Sequence, residues 1–539
     1  MNTYAFSRQP LSALMSNRNL AVAMTKVARY YRTQNFAGTP DAGMLDLMDT
    51  AMLRAMVMDG SYRFQPLRPY FTEKKSGAVR METISSPLDR VVIQALFNRI
   101  GYQIQGGLSL SATVRNELVA PAYRFNSPRS KYIFSFWPTD YRAHRNRMVR
   151  LARRHRRGVV LHADIQNFYP SVDRRLVRNL LAPWFTEEVW PLVDQYLDFS
   201  LTHQETTRPL YAGLPIEEPI SRLLGNMVLE SLDRFALQEL EMPYGRYVDD
   251  LTFFLPNEHA ARETRQRIEE FLLVELGLAI NAEKVEIAPT AELADGAAAA
   301  FSRRLSILNA NLALVPFQPG LKKGMVGALK GMLKQMPDDT GEEAANQLKV
   351  RGVKFAAWRL ARLKATRQVD AIGSLLIDER FQRIAAIALA YLGTPKAIQH
   401  LRSWLAEYGS SLSRHDQITV AAALARNNHL RHFPMLETMA ATCPELLAVI
   451  RLKHATPRQL REGIADADPL VRRACALHLI GISRKPEGLK TALKRALKQE
   501  VDRDTRIAFE AAIKLFSGNA TTTRLLKKRN KKEATPCHP

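Results

Sequence analysis

The stretch Tyr247-Val248-Asp249-Asp250 lies between Tyr244-Gly245-Arg246 and Leu251-Thr252-Phe253-Phe254-Leu255, and the reading of its two acids decides the fold. Aromatic and branched residues on both sides predict strands, which leaves the acids at the turn of a hairpin. Adjacent carboxylates in an apolar strand are costly to bury unless they are paired, hydrogen-bonded or bound to a cation. Mg²⁺ takes one or two carboxylates together with water and phosphate oxygens, a combination suited to phosphoryl transfer. Taken alone, the tetrapeptide reads equally well as a β-turn with exposed acids, because Asp is a common turn former. A third carboxylate shifts the balance. Val159-Val160-Leu161-His162-Ala163-Asp164-Ile165 is a short apolar run that delivers Asp164 near its end. A buried strand carrying one Asp, beside a hairpin carrying two, makes a two-metal site that clamps the attacking and leaving oxygens of an in-line displacement.

Between these blocks lie Gly213-Leu214-Pro215 and Ser221-Arg222-Leu223-Leu224-Gly225-Asn226. The second opens an amphipathic helix expected to reach Leu240, with Ser221 as its cap and Leu224, Val228, Leu232 and Phe235 on its buried stripe. In this order the blocks resemble the palm motifs of reverse transcriptases, with Asp164 to Val172 as the first, Gly213 to Asn226 as the second and Tyr247 to Asp250 as the YxDD box. Upstream, Tyr62-Arg63-Phe64, Lys74-Lys75-Ser76-Gly77-Ala78-Val79-Arg80 and Pro87-Leu88-Asp89-Arg90-Val91-Val92 are similar to the fingers of retron and group II intron enzymes. Downstream, Gly277-Leu278-Ala279-Ile280-Asn281-Ala282-Glu283-Lys284 is similar to the motif that follows the YxDD hairpin.

The resemblance implies a metal-dependent, RNA-directed DNA polymerase. Asp164, Asp249 and Asp250, with the backbone carbonyl of Ile165, would hold two Mg²⁺ ions, with Mn²⁺ as a substitute, and Lys284 would serve the pyrophosphate leaving group. Lys74, Lys75, Arg80, Tyr169, Pro215 and Ser221 would contact the nucleotide. Tyr169 sits where the family keeps a bulky ring against the sugar, which would clash with a 2′-hydroxyl and favour dNTPs. A core aromatic is the competing reading of Tyr169, and a satisfied core residue is the expectation for His162. One departure stands out: family members have Gln-Gly after the Leu-Pro pair, whereas Ile216-Glu217-Glu218 follows Pro215 here. The lost Gly removes backbone freedom, and the two acids are expected to bring negative charge toward template and nucleotide. Template-independent, protein-primed nucleotide transfer on the same site is therefore a second reading. A non-catalytic RNA-binding scaffold with a relic palm is a third.

The 539 residues exceed what one core serves, so two or three domains are expected. Lys and Arg number 77 against 53 Asp and Glu, a net charge of +24 that predicts a polyanionic partner such as nucleic acid. Part of the excess is concentrated: Arg142, Arg145, Arg147, Arg150, Arg153, Arg154, Arg156 and Arg157 crowd one predicted helix, which suits a nucleic-acid backbone, a solvated helix being the alternative. Three cysteines without a CxxC pair argue against a zinc site or a disulfide framework. No apolar run approaches the length of a membrane span, so no membrane partner is expected and a bacterial cytoplasm is the expected location.

The fold class expected is α+β, a right-hand fingers, palm and thumb core followed by an all-α domain of HEAT-like repeats. Residues 1–55 read as an N-terminal helical segment bracing the fingers, 56–290 as fingers and palm, and 291–375 as basic thumb-like helices after a loop at Ala294-Asp295-Gly296-Ala297. Ala-rich helices recur over 376–518, at Arg383–Leu389, Gln417–Leu424, Asp468–Leu477 and Asp504–Ala512, and resemble HEAT hairpins. Residues 519–539 form a basic tail expected to be disordered. A reverse transcriptase core joined to helical repeats resembles the bacterial abortive-infection enzymes, which implies antiphage defence, RNA as template or noncoding partner, a DNA product and, in several members, homo-oligomers.

Overall fold

The computed structural model describes residues 8–33, 40–73, 79–107, 119–120, 122–135, 137–203, 206–210, 212–216, 218–337, 343–482, 486 and 488–516. Lys74, Lys75, Glu217 and the basic tail lie outside these. The chain divides into two compact units, one of residues 1–30, 49–70 and 80–299, the other of residues 31–48, 71–79 and 300–539.

The first unit is built on a four-stranded antiparallel sheet. In chain order the strands are β1 (Arg68–Glu73), β2 (Val79–Ile84), β3 (Val159–Asp164), β4 (Ser200–His203), β5 (Thr206–Pro209), β6 (Tyr244–Tyr247), β7 (Asp250–Leu255) and β8 (Glu286–Pro289). The main sheet runs β6-β7-β3-β8, and β1 with β2 and β4 with β5 form two small ribbons. Strand β3 is central and buried on both faces, with Val160 and Leu161 at 1% and 0% exposure, which its apolar run, interrupted only by His162, requires. Val160 and Phe254 pack against Met148, Leu151 and Ala152 of the helix Trp137–Arg154 and against Ala294. The helix Glu258–Phe271 packs on β3 and β7 and continues through a π-turn over Leu272–Leu276.

The helix expected from Ser221 to Leu240 starts at Pro219, whose ring suits the first turn, and is segmented as Pro219–Val228, Glu230–Arg234 and a π-turn at Phe235–Glu239. Leu224, Val228, Leu232 and Phe235 form its buried stripe as expected. Ser221 is not its cap; Glu218 holds that position, and Ser221 lies inside the helix. The loop expected at Ala294 is also helical, Thr290–Asp295 breaking at Gly296 before Ala297–Leu314, because the alanines prolong the helix on either side of one glycine.

In the second unit the helices Gln382–Leu392, Arg414–Arg426, Pro444–Lys453, Pro469–Gly481 and Arg503–Phe516 pack each on the next. The four Ala-rich runs fall on members of this stack, and Ala385, Ala386, Ala421, Ala474, Ala476 and Ala508 are fully buried where helices approach closely. Ion pairs tie the successive layers, Arg383 to Asp416, Arg414 to Glu445 at 2.7 Å and Arg472 to Glu500 at 2.7 Å. The 3₁₀ turn Pro40–Asp46 belongs here too: Met44 enters the same core as Leu477, and a side chain at Gly43 would meet Leu477 at 3.3 Å. Among the described residues no helix is long and apolar enough to cross a membrane.

The helix Asn17–Thr33 carries a charge inside the first unit. Lys26 is fully buried, with its ammonium 3.4 Å from the carbonyl of Ser127 and 6.0 Å from the ring of Phe125. Burial pushes its pKa down to about 8 from 10.5. The folded chain sheds this proton before the unfolded chain does, so stability rises with pH between those values. Lys26→Met is expected to exceed the parent in stability at pH 7 by up to about 3 kcal/mol. In urea titrations that advantage should shrink toward pH 10.5, and a difference constant with pH would contradict the account.

Candidate active site

The three acids of the palm blocks meet at one end of the sheet. Asp164 ends β3 directly opposite Asp250, the first residue of β7, and Tyr247 pairs with Asp250 across the β6–β7 hairpin. Val248 and Asp249 form the turn, with Val248 at φ +63°, a left-handed conformation rarely adopted by a β-branched residue. The next segment closes the site from the other side. The amide of Ile165 donates to the Asp249 carbonyl at 3.2 Å, that of Gln166 to Ala279 at 2.8 Å, and that of Asn281 to the Asp164 carbonyl at 2.7 Å. These bonds carry the chain round to Lys284, whose ammonium donates to Asp164 Oδ2 at 2.7 Å.

The electrostatics follow from this crowding. Partial desolvation, then Asp249, then Asp164 push the Asp250 carboxyl up to about 6. Asp249 is also raised, chiefly by burial and further by Asp164, while Lys284 and Arg80 pull it down. Lys284 is held above the ordinary lysine range by its bond to Asp164. Among the described residues no three donors already stand at metal-binding spacing, and the Lys284 ammonium occupies one oxygen of Asp164. The donor set nevertheless fits a hard divalent cation, since its side-chain ligands are all oxygen and a carboxyl raised by like charges is relieved by positive charge.

Other expected site residues distribute unevenly. Arg80, on β2, is exposed and close enough for its charge to reach Asp249. Phe168 is buried and Tyr169 half-buried, their rings 5.1 Å apart. Gly225 makes room for both, since a Cβ there would lie 2.9 Å from Phe168 and 3.2 Å from Tyr169. Pro215 is buried and lines a cavity of about 380 Å³ with Phe64, Ser85, Asp89 and Tyr196. Ser221 is 1% exposed and its hydroxyl meets that of Tyr196 at 3.2 Å, so it is turned into the core rather than toward a nucleotide. His162 meets Thr252 at 3.2 Å, the satisfied partner expected of it. Of the arginines, Arg142, Arg150, Arg153, Arg154 and Arg157 are exposed and Arg145 is half-buried. Arg147 is buried and donates to the Tyr244 carbonyl at 2.6 Å, a structural bond rather than a surface charge.

The two acids after Pro215 are not both free to face a nucleotide. Glu218 is 1% exposed and forms a buried pair with Arg90 at 2.8 Å, while the Ser85 hydroxyl donates to the same oxygen at 2.6 Å. The carbonyl of Ile216 accepts from the Thr83 hydroxyl at 2.6 Å and from the Thr83 amide at 3.2 Å. Gly213, at φ +84°, lies so close to Pro170 that a Cβ would meet its backbone at 2.6 Å. The second block is thus strapped to β2 and to the first block. The only hint in the sequence was the Pro87-Leu88-Asp89-Arg90 run, which supplied a cation without its partner.

Residues 72–302 match the family model described as reverse transcriptase (RNA-dependent DNA polymerase), so the chain carries a reverse transcriptase domain. No curated protein matches the chain. Among solved structures, telomerase from Candida albicans in complex with a TWJ fragment of telomeric RNA is similar at 8% identity and TM-score 0.33, over 79% of this chain and 67% of that one. Telomerase from Candida tropicalis is similar in complex with a TWJ fragment of telomeric RNA, at 12% identity and TM-score 0.30 over 70% and 64%, and in its apo form, at 10% and 0.31 over 76% and 69%. These likenesses are too weak to bear on mechanism.

Replacing Arg90 by Met strands the Glu218 carboxylate in the interior. Urea unfolding should show a loss of roughly 3–5 kcal/mol, largely recovered when Glu218→Leu is added. A loss under about 1 kcal/mol would mean that the pair does not clamp the second block.

Proposed function

We propose that this chain is a metal-dependent DNA polymerase that adds dNTPs to a growing DNA strand on an RNA template. The observation that carries this reading is the convergence of Asp164, Asp249 and Asp250 at one end of the sheet, with Asp250 pushed up to about 6. Asp164, Asp249, Asp250 and the carbonyl of Ile165 would hold two Mg²⁺ ions, which supply Lewis-acid stabilisation of the transferring phosphoryl group. Lys284, already in the site, donates a proton or its charge to the leaving pyrophosphate. Arg80 faces the phosphates, and the Tyr169 ring stands against the sugar and disfavours a 2′-hydroxyl. The burial of Glu218 against Arg90 removes one of the two acids that pointed to untemplated synthesis, which favours a template.

The exposed arginines of Trp137–Arg154 contact a nucleic-acid backbone, and in the second unit the exposed Lys322, Lys323 and Lys330 of Leu321–Leu333 offer a thumb-like contact of their own. We read the stacked helices as HEAT-like repeats. Joined to this domain they support a role in bacterial antiphage defence, on the resemblance to abortive-infection enzymes.

The experiment uses the purified full chain with Mg²⁺ and labelled dNTPs, with and without RNase pretreatment, beside Asp249→Asn/Asp250→Asn. Incorporation should be lost after RNase treatment and fall at least roughly 100-fold in the variant. The same variant should lose phage protection in plating assays. Product that resists RNase and shifts on proteolysis would instead establish untemplated, protein-primed transfer, and incorporation unchanged in the variant would contradict the assignment of the acids.

A further inference from the structure

Beside the Val248-Asp249 turn lies a buried polar cluster that joins the YxDD hairpin to Asn226 of the second block and to Asp233. Arg246 is 1% exposed and Asp233 is 0% exposed. The guanidinium grips Asp233 with Nε at 2.8 Å and Nη2 at 2.9 Å, and the Tyr244 hydroxyl donates to the same carboxylate at 3.0 Å. Nη1 turns the other way, donating to Asn226 Oδ1 at 2.9 Å and to the carbonyl of Val248 at 3.0 Å. That carbonyl belongs to the peptide that leads directly into Asp249. Asn226, in turn, anchors itself on the Ala122 carbonyl at 2.8 Å and follows Gly225, the residue whose missing side chain accommodates Phe168 and Tyr169.

Stability alone does not account for this arrangement. A buried ion pair is commonly replaced by apolar residues of similar volume with no loss, or with a gain. What apolar residues cannot do is hold two sides at once. A guanidinium presents a planar fork to one carboxylate while its remaining nitrogen reaches separate acceptors. A left-handed Val is strained, and such strain persists only where the surroundings over-determine it. The bond from Nη1 to the Val248 carbonyl acts on that peptide.

We propose that Arg246 is a positioning residue: anchored by Asp233, it fixes the Val248 turn and, through Asn226, the support of the Tyr169 ring, so that the Asp249 and Asp250 carboxylates and the ring keep one register. Two properties then depend on one buried side chain, the affinity of the carboxylates for a divalent cation and the discrimination between dNTPs and rNTPs. This inference rests on the reading of Asp164, Asp249 and Asp250 as a cation site.

The test compares the full-length parent with Arg246→Met, Arg246→Lys and the double variant Arg246→Met/Asp233→Leu. Three quantities are measured: the urea midpoint without metal, Mn²⁺ binding by electron paramagnetic resonance, and the ratio of kcat/KM for a dNTP and its rNTP. Arg246→Met should lose stability because Asp233 is left buried and unpaired, and the double variant should regain the parent midpoint. Mn²⁺ affinity in the double variant should nonetheless stay at least about tenfold weaker, as when a residue supporting metal ligands is removed, with dNTP preference reduced alongside it. Arg246→Lys, which keeps a charge for Asp233 but not the fork, should fold and show the same two defects. Parent-like Mn²⁺ affinity and discrimination in the folded double variant or in Arg246→Lys would reduce Arg246 to a structural role. A parent chain that binds no Mn²⁺ would instead overturn the underlying reading of the carboxylates.

Discussion

Mutual repulsion among three carboxylates at one end of a sheet is the constraint around which the first unit is built. Asp164 and Asp250 face each other in register on adjacent strands, and Asp249 stands one residue away in the turn. Such an arrangement is unfavourable unless positive charge is supplied, and Lys284 and Arg80 supply part of it. Burial, and after it the repulsion that remains, raises Asp250 and marks the place where a divalent cation would be stabilised. A stable hairpin alone gains nothing from three acids placed here, and the proposed phosphoryl transfer is the chemistry that would use them.

The surrounding chain holds that arrangement rigidly from below. Strand β3 is sealed on both faces by helices, so Asp164 cannot retreat, and the amides of Ile165 and Asn281 bind the site to its neighbours on either side. The second block is strapped by the Arg90–Glu218 pair and by Thr83, while Gly213 and Gly225 let it approach the first block closely. Two buried ion pairs, Arg90–Glu218 and Arg246–Asp233, thus brace the second block and the YxDD hairpin. The first joins residues 128 apart and the second ties the hairpin to the helix 13 residues before it, which is how buried charge contributes to a defined geometry rather than to net stability.

Much of this was legible in the residues themselves. Asp164, Asp249 and Asp250 could be read because carboxylates are rare inside apolar strands and demand an explanation wherever they occur. The Ala-rich helices could be read because small residues at helical spacing leave few other packings. What escaped was the direction of side chains across long separations. Glu218 reads as a charge facing the nucleotide until Arg90, 128 residues away, is seen to capture it. Arg246 reads as one more basic residue in a basic chain, and no helical spacing pairs it with Asp233, whose helix segment Glu230–Arg234 offers Arg234 as a nearer cation. The segment around Met44 precedes the first palm block by more than a hundred residues yet packs with helices near the C-terminus, a long-range pairing without any local periodic signature. Local pattern specifies elements; partners are chosen by tertiary packing.

The central claim, that the three palm carboxylates converge on a divalent cation, can be tested without reference to activity. Mg²⁺ in the full-length chain would be exchanged for Fe²⁺, and ascorbate and peroxide would generate radicals that cut the backbone close to the bound ion. The account predicts cleavage clustered near Asp164, near Val248 to Asp250 and near Lys284, suppressed by excess Mg²⁺ and absent from Asp249→Asn/Asp250→Asn. Cleavage elsewhere, or the same cuts surviving in that variant, would contradict it.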